Sequence, residues 1–366
     1  MERLFKYVGI AILWVLVGVT IYYAHSSGRT LREELTVERV DIEITDSTSH
    51  GQLVTREMVL GWLRSAKVKL QGEAGSKVNL QELEQIVSSN GFVGRVTAYV
   101  GLDGVLKIEI GQREPLFRLL VDGYNHYVTR DGYIFKAPPT SALYVPLVTG
   151  SYKPPFLSRF EGYIADNLAK SEEEYRERDM ALEREKYPLY TLDEENRKYY
   201  RETRKMFISQ GVFERREHFL DRVDSLKKLK RERHRRYRYR KQQIELGIGR
   251  VESRQEALRE EQKKLQKSYE DFQKLITFVE EIQKDDFWRS EMVQIVASKA
   301  HSGALEVEFV PRSGNYTVAL GRLELVDDKL ERLKRFSEEI LQRDGWEWFS
   351  LIDLRYEERV ICSKKR

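Results

Sequence analysis

Residues 96–110 read VTAYVGLDGVLKIEI, two alternating runs on either side of a turn. Val96, Ala98 and Val100 alternate with Thr97 and Tyr99, and Leu106, Ile108 and Ile110 alternate with Lys107 and Glu109. A period of two turns one face of each run to a core and the other to water. Gly101-Leu102-Asp103-Gly104 supplies the turn between them. The stretch predicts two paired, half-buried strands.

Upstream, Asn79 with Glu82 three residues on resembles a capping box, and Leu80, Leu83, Ile86 and Val87 form an apolar stripe behind it. Asn90-Gly91 ends that helix. Beyond a loop containing Gly72 and Gly75, Thr55 can cap an earlier helix with Met58, Val59, Trp62 and Leu63 on one side. Farther out, past a loop at His50-Gly51, Val40, Ile42 and Ile44 alternate with Arg39, Asp41 and Glu43 as another half-buried strand. Residues 37–114 thus predict a small α+β domain in the order strand–helix–helix–strand–strand.

Downstream, residues 115–155 read as the first part of a β domain, with turns at Asp122-Gly123 and Asp131-Gly132 between apolar runs. Residues 156–271 change character: charge dominates and Pro188 is the sole proline. Val251, Leu258, Leu265, Phe272 and Val279 recur every seven residues, with the companion position three residues on polar at Arg254, Glu261 and Ser268 and apolar only late, at Leu275 and Ile282. This predicts a long helical hairpin or arm, packed on itself or on a second chain. Residues 272–366 return to strands and read as the second part of the β domain. There a helix carries Leu330, Leu333, Phe336 and Ile340, and a final strand runs from Phe349 through Val360 to Cys362.

Near the start, residues 7–24 (YVGIAILWVLVGVTIYYA) carry no charge. As a helix they would span about 27 Å, close to a hydrocarbon core of about 30 Å. The expectation is a single transmembrane helix behind a six-residue tail (1–6), followed by a polar linker (25–36). A cleaved secretory signal is the competing reading; Tyr22 and Tyr23 stand where a signal needs small residues. The flanking basic residues are nearly balanced and orient the helix only weakly.

With 63 Lys+Arg against 59 Asp+Glu, the net charge of +4 does not mark a general polyanion binder. The single cysteine, Cys362, excludes an intramolecular disulfide and a cysteine-cluster metal site. The six histidines stand at no ligand spacing, and no nucleophile elbow occurs. Gly247-Ile248-Gly249 lacks the setting of a dinucleotide site and is expected to bend or break its helix. No catalytic constellation, metal or cofactor is predicted, and the chain reads as a non-enzyme. Residues 227–241 (KKLKRERHRRYRYRK) hold ten Lys/Arg and one Glu. The run reads either as a solvated helix face balancing the acidic stretch 171–185, or as a contact for an anionic surface through Arg235, Arg236, Arg238 and Arg240. An extracytoplasmic location argues against nucleic acid as the partner.

Several motifs in order resemble the bacterial FtsQ/DivIB family. They are the unit within residues 37–110, Arg113-Glu114-Pro115, residues 128–135 (VTRDGYIF), residues 145–150 (VPLVTG), residues 316–321 (YTVALG), the helix at 330–336, and Ile352-Asp353-Leu354-Arg355-Tyr356. The resemblance implies a cytoplasmic tail, one inner-membrane helix, a POTRA domain and a β domain, with the bulk in the periplasm and the protein at the division septum. It implies a divisome scaffold that joins early and late division proteins and relays control to septal peptidoglycan synthesis. Its implied partners are FtsB- and FtsL-like proteins, with other divisome components at the POTRA domain. It also implies that the final strand pairs with a partner strand through Tyr356, Glu357, Glu358, Arg359, Val360 and Ile361. An unpaired strand edge recruits strands on physical grounds as well. The chain departs from the family pattern in its short tail and its helical insertion. Two other classes compete. A POTRA-bearing protein of polypeptide transport or outer-membrane assembly would continue into a barrel, which the sequence lacks. A cell-wall enzyme would need a site.

Overall fold

The computed structural model describes residues 13–23, 36–45, 52–68, 70, 72, 74, 77–101, 103–138, 143–301, 303–313, 316–341, 348–356 and 359–365. The helix at 13–23 (α1) covers part of the apolar run, and the rest of that run lies outside the described residues. Among the described residues, no helix is long and apolar enough to cross a membrane.

The chain divides into two compact units, Met1–Ile164 with Gln273–Arg366, and Ala165–Phe272. In the first, β1 (Arg39–Ile44), α2 (Arg56–Ser65), α3 (Leu80–Ser88), β2 (Val93–Val100) and β3 (Val105–Gln112) follow one another as the alternation predicts. β3 lies in the middle, parallel to β1 and antiparallel to β2. Thr55 and Asn79 cap the two helices by accepting the Met58 and Glu82 N–H groups. Val59, Leu63, Leu83 and Val87 are buried with Leu106, Ile108 and Ile110 of the central strand.

A ten-stranded mixed sheet follows. Before the arm it contains β4 (Pro115–Val121), β5 (Tyr124–Thr129), β6 (Tyr133–Lys136), β7 (Leu147–Gly150) and β8 (Gly162–Tyr163). After the arm come β9 (Met292–Lys299), β10 (Leu305–Pro311), β11 (Thr317–Gly321), β12 (Phe349–Asp353) and β13 (Ile361–Lys364). The spatial order is β13-β12-β11-β10-β9-β7-β4-β5-β6-β8. The halves join where β7 runs parallel to β9, with Val148 opposite Ile295, so the insertion interrupts the sequence and not the sheet. Residues 156–163, which composition assigned to the arm, fall with the sheet: Phe156 is buried, its carbonyl accepts the Tyr124 hydroxyl at 2.7 Å, and β8 pairs with β6.

The arm comprises α4 (Ile164–Lys205) and α5 (Arg216–Lys284), whose last turns return to the first unit. There Leu275, Ile276, Val279 and Ile282 are buried. Within Ala165–Phe272 the helices run antiparallel: Gln266 reaches Glu172, Gln255 reaches Asp179 and Glu183, and Asn196 reaches the Tyr237 carbonyl. The seven-residue repeat is real, and its late companions three residues on, Leu275 and Ile282, are buried, but earlier in the arm the companion lies four residues on, at Gln255, Gln262 and Tyr269. Side-chain hydrogen bonds from Gln255 and Tyr269 to α4 take the place of apolar knobs there. α5 also passes unbroken through Gly247-Ile248-Gly249, where a Cβ at Gly247 would meet the Leu189 side chain of α4 at 3.3 Å. The arm is therefore a self-packed hairpin with a largely polar seam.

The last strand differs most from its expectation. A single strand from Phe349 to Cys362 does not form. β12 stops at Asp353, and β13 returns antiparallel beside it. Among the α7 (Val326–Phe336) residues expected on one face, Leu330 and Leu333 are buried, and a π-helical turn, Ser337–Leu341, follows.

The three-stranded domain meets the large sheet at Gly91, where a Cβ would lie 2.6 Å from the Phe135 Cβ, too close for any side chain without a backbone shift. Phe92 and Phe135 stack edge to face beside it. A Gly91→Val substitution is expected to destabilise the chain by about 1–3 kcal/mol, read as a lowered midpoint in denaturant.

Candidate partner-binding edge

Asp353 builds the turn that exposes β13. Its Oδ1 accepts the Arg355 backbone N–H at 3.0 Å, a side-chain-to-backbone closure two residues long. The Arg355 guanidinium then grips the same carboxylate, Nε to Oδ1 at 2.9 Å and Nη2 to Oδ2 at 2.6 Å. Asp353 is buried, and these bonds hold its carboxyl below the usual carboxylate range against the opposing effect of burial. The Arg355 stem crosses Gly321, where a Cβ would come within 2.7 Å of the Arg355 Cγ and where φ is +68°. Glycine alone suits both the close approach and the left-handed backbone.

α7 braces the same corner. Arg332 donates from Nη1 to the Tyr356 carbonyl at 2.9 Å and the Arg359 carbonyl at 3.3 Å, tying together the two sides of the loop. Lys329 is buried and donates to the Leu320 and Arg322 carbonyls at 3.0 and 2.7 Å. Burial pushes its ammonium below the usual lysine range. The Leu354 N–H continues to the Ala319 carbonyl at 2.9 Å.

β13 pairs with β12 alone, and its other margin has no neighbour among the described residues. The Lys365 N–H bonds inward to the Trp348 carbonyl, and the Ser363 carbonyl accepts the Ser350 hydroxyl. By the alternation of an antiparallel ladder, Cys362 and Lys364 therefore turn their N–H and C=O groups to the open margin. Other outer strands are better covered. Arg56 donates to the Val40 carbonyl of β1, Glu84 takes the Ala98 N–H of β2, and β8 is two residues long. Trp348, Tyr356 and Ile361 are exposed around β13.

Among the residues read from sequence as partner contacts, Ile361 lies in β13, Val360 is half-buried just before it, and Arg359 and Tyr356 sit exposed in the loop. Glu357 and Glu358 lie outside the described residues. Arg235, Arg236, Arg238 and Arg240 are exposed on α5, in the other unit, and none pairs with a carboxylate among the described residues. Sequence reading placed Gly321 and Asp353 in family motifs without a structural role, and it missed the bracing by Lys329 and Arg332. Lys329, four residues before Leu333 on the apolar face of α7, was the signal at hand. Among the described residues, no group of His, Cys, Asp and Glu could hold a metal ion.

The folded-state pKa of Asp353 is lowered, chiefly by the Arg355 side-chain hydrogen bond, so its contribution is complete above the unfolded value of about 3.9 and is lost as pH falls through the folded value. Asp353→Asn is expected to cost about 1–2 kcal/mol at neutral pH and nothing at the acid end, which unfolding curves between pH 2 and 7 would show.

Two family models match the chain. Residues 249–363 match one described as FtsQ/DivIB, C-terminal related, a span from within α5 to β13. Residues 36–111 match one described as a POTRA-like domain, the span of β1 to β3. No curated protein matches. A POTRA-like domain followed by an FtsQ/DivIB-related C-terminal domain supports the assignment of this chain to the FtsQ/DivIB family, whose domains suggest a cell-division scaffold role.

Proposed function

We propose that the chain is a membrane-anchored divisome scaffold that takes a strand from an FtsB-like partner along β13, in company with an FtsL-like protein, and so relays control to septal peptidoglycan synthesis. The open margin of β13 carries the proposal. Residues 7–24 would hold the chain in the inner membrane with its bulk in the periplasm, and the POTRA-like domain would receive other division proteins. The chain acts by binding, not by catalysis.

Magnitudes say what the partner must supply. The N–H and C=O groups of Cys362 and Lys364 allow up to four backbone hydrogen bonds, worth about 2–6 kcal/mol together. Association costs about 4–15 kcal/mol in lost freedom. The ladder alone cannot hold a complex, so apolar contacts at Tyr356, Val360, Ile361 and Trp348 must contribute, with the ladder fixing register.

Proline is tolerated on an edge strand where its missing N–H would have faced solvent. Lys364→Pro should leave the melting temperature nearly unchanged and weaken binding of an FtsB-like partner at least tenfold. Lys364→Ala should bind normally. Titration calorimetry that finds equal affinity for both variants would refute strand addition.

A further inference from the structure

The loop joining α4 to α5 is built inside out. Several of its polar groups are engaged internally. The Glu214 carboxylate accepts Arg222 Nε at 2.6 Å and Nη2 at 2.5 Å, and it accepts the Gly211 N–H at 2.9 Å. The Glu214 N–H returns to the Gly211 carbonyl at 3.1 Å, Gln210 donates to the Glu214 carbonyl at 3.2 Å, and Arg222 also reaches the Ser209 carbonyl at 3.2 Å. A closed turn results, held by one bidentate ion pair. Its large apolar side chains point the other way: Phe207 is 83 % exposed, Val212 93 % and Phe213 100 %. Water selects against that arrangement, and elsewhere in the arm the exposed faces are mostly charged.

The surroundings indicate what covers the tip. Arg204, Lys205, Arg215 and Arg216 are all exposed and flank the three apolar residues, outnumbering the exposed Glu202 and Glu217, with Glu214 already engaged by Arg222. An apolar wedge within a basic collar is the pattern of a segment that enters the interfacial layer of an anionic membrane. Its aromatic side chains sit at the acyl boundary and its cations among the headgroups. The tip is also a convex corner between two helices, a shape that a fluid surface accommodates more readily than a preformed protein pocket. We propose that this tip inserts into the surface of an anionic lipid bilayer, giving the arm a lipid contact separate from residues 7–24. The basic run 227–241 begins eleven residues into α5, about 16 Å along it, so tip insertion does not require that run to touch lipid. The proposal stands independently of the divisome reading.

The test uses the full chain with Cys362→Ser and Val212→Cys, labelled at residue 212 with nitrobenzoxadiazole and incorporated into vesicles at high lipid excess. The reporter reads the tip itself, so attachment through residues 7–24 cannot imitate insertion. In phosphatidylcholine vesicles containing phosphatidylglycerol, the expected result is blue-shifted emission quenched by lipids spin-labelled near the headgroup. Phe207→Ser with Phe213→Ser should raise the phosphatidylglycerol content needed for half the shift, or abolish the shift, without lowering the melting temperature. Neutralising Arg235, Arg236, Arg238 and Arg240 should leave the shift in place. Water-like emission in the acidic vesicles, or a shift without quenching by spin-labelled lipid, as a protein pocket would give, overturns the proposal. So does a shift that survives the double serine variant but not the arginine variant.

Discussion

The buried carboxylate of Asp353 is the constraint from which the candidate surface follows. It ends β12 by capturing the N–H two residues on, and it recruits Arg355 as counter-charge. Without that counter-charge, a buried carboxylate would be costly and the strand could run on. The guanidinium needs Gly321 for passage, and Arg332 and Lys329 of α7 fix the carbonyls around the corner. One ion pair and its supports thus decide that the chain folds back as β13. That strand forms the margin of the ten-stranded sheet and leaves alternate backbone groups unclaimed among the described residues.

The long arm coexists with this arrangement because the sheet is closed across the insertion point by backbone pairing. β7 and β9 stand side by side although the entire hairpin lies between them in sequence. The return of α5 buries Leu275, Val279 and Ile282, so one end of the hairpin is anchored by apolar packing. Farther along, Gln255, Asn196 and Tyr269 make the crossings. Such a seam fixes register at little apolar gain, and most of the arm's helicity must come from local propensity and many weak side-chain pairs.

The first domain was legible in the sequence because its periods are short and its punctuation local. The alternation of Leu106, Ile108 and Ile110 and the caps Thr55 and Asn79 each act within a few residues. The open margin was legible in part: the family motif singled out Asp353-Leu354-Arg355-Tyr356, while alternation alone carried the strand straight through it. Alternation cannot register a side chain that closes on its own backbone, and the partners Gly321 and Arg332 lie more than twenty residues away. The arm's seam was misplaced for a related reason. A search for apolar companions passes over Gln255 and Tyr269, whose hydrogen bonds make them interface residues. The outward face of the tip had no periodic signature at all.

Hydrogen exchange read residue by residue across β13 tests the account most directly. In the free chain, the amides of Ile361 and Ser363, which face β12, should exchange slowly, while those of Cys362 and Lys364 exchange nearly as fast as in an unfolded peptide. On adding an FtsB-like partner, Cys362 and Lys364 should become protected. Protection of all four amides before the partner is added, or unchanged exchange at Cys362 and Lys364 in a complex that demonstrably forms, would contradict an open strand awaiting its pair.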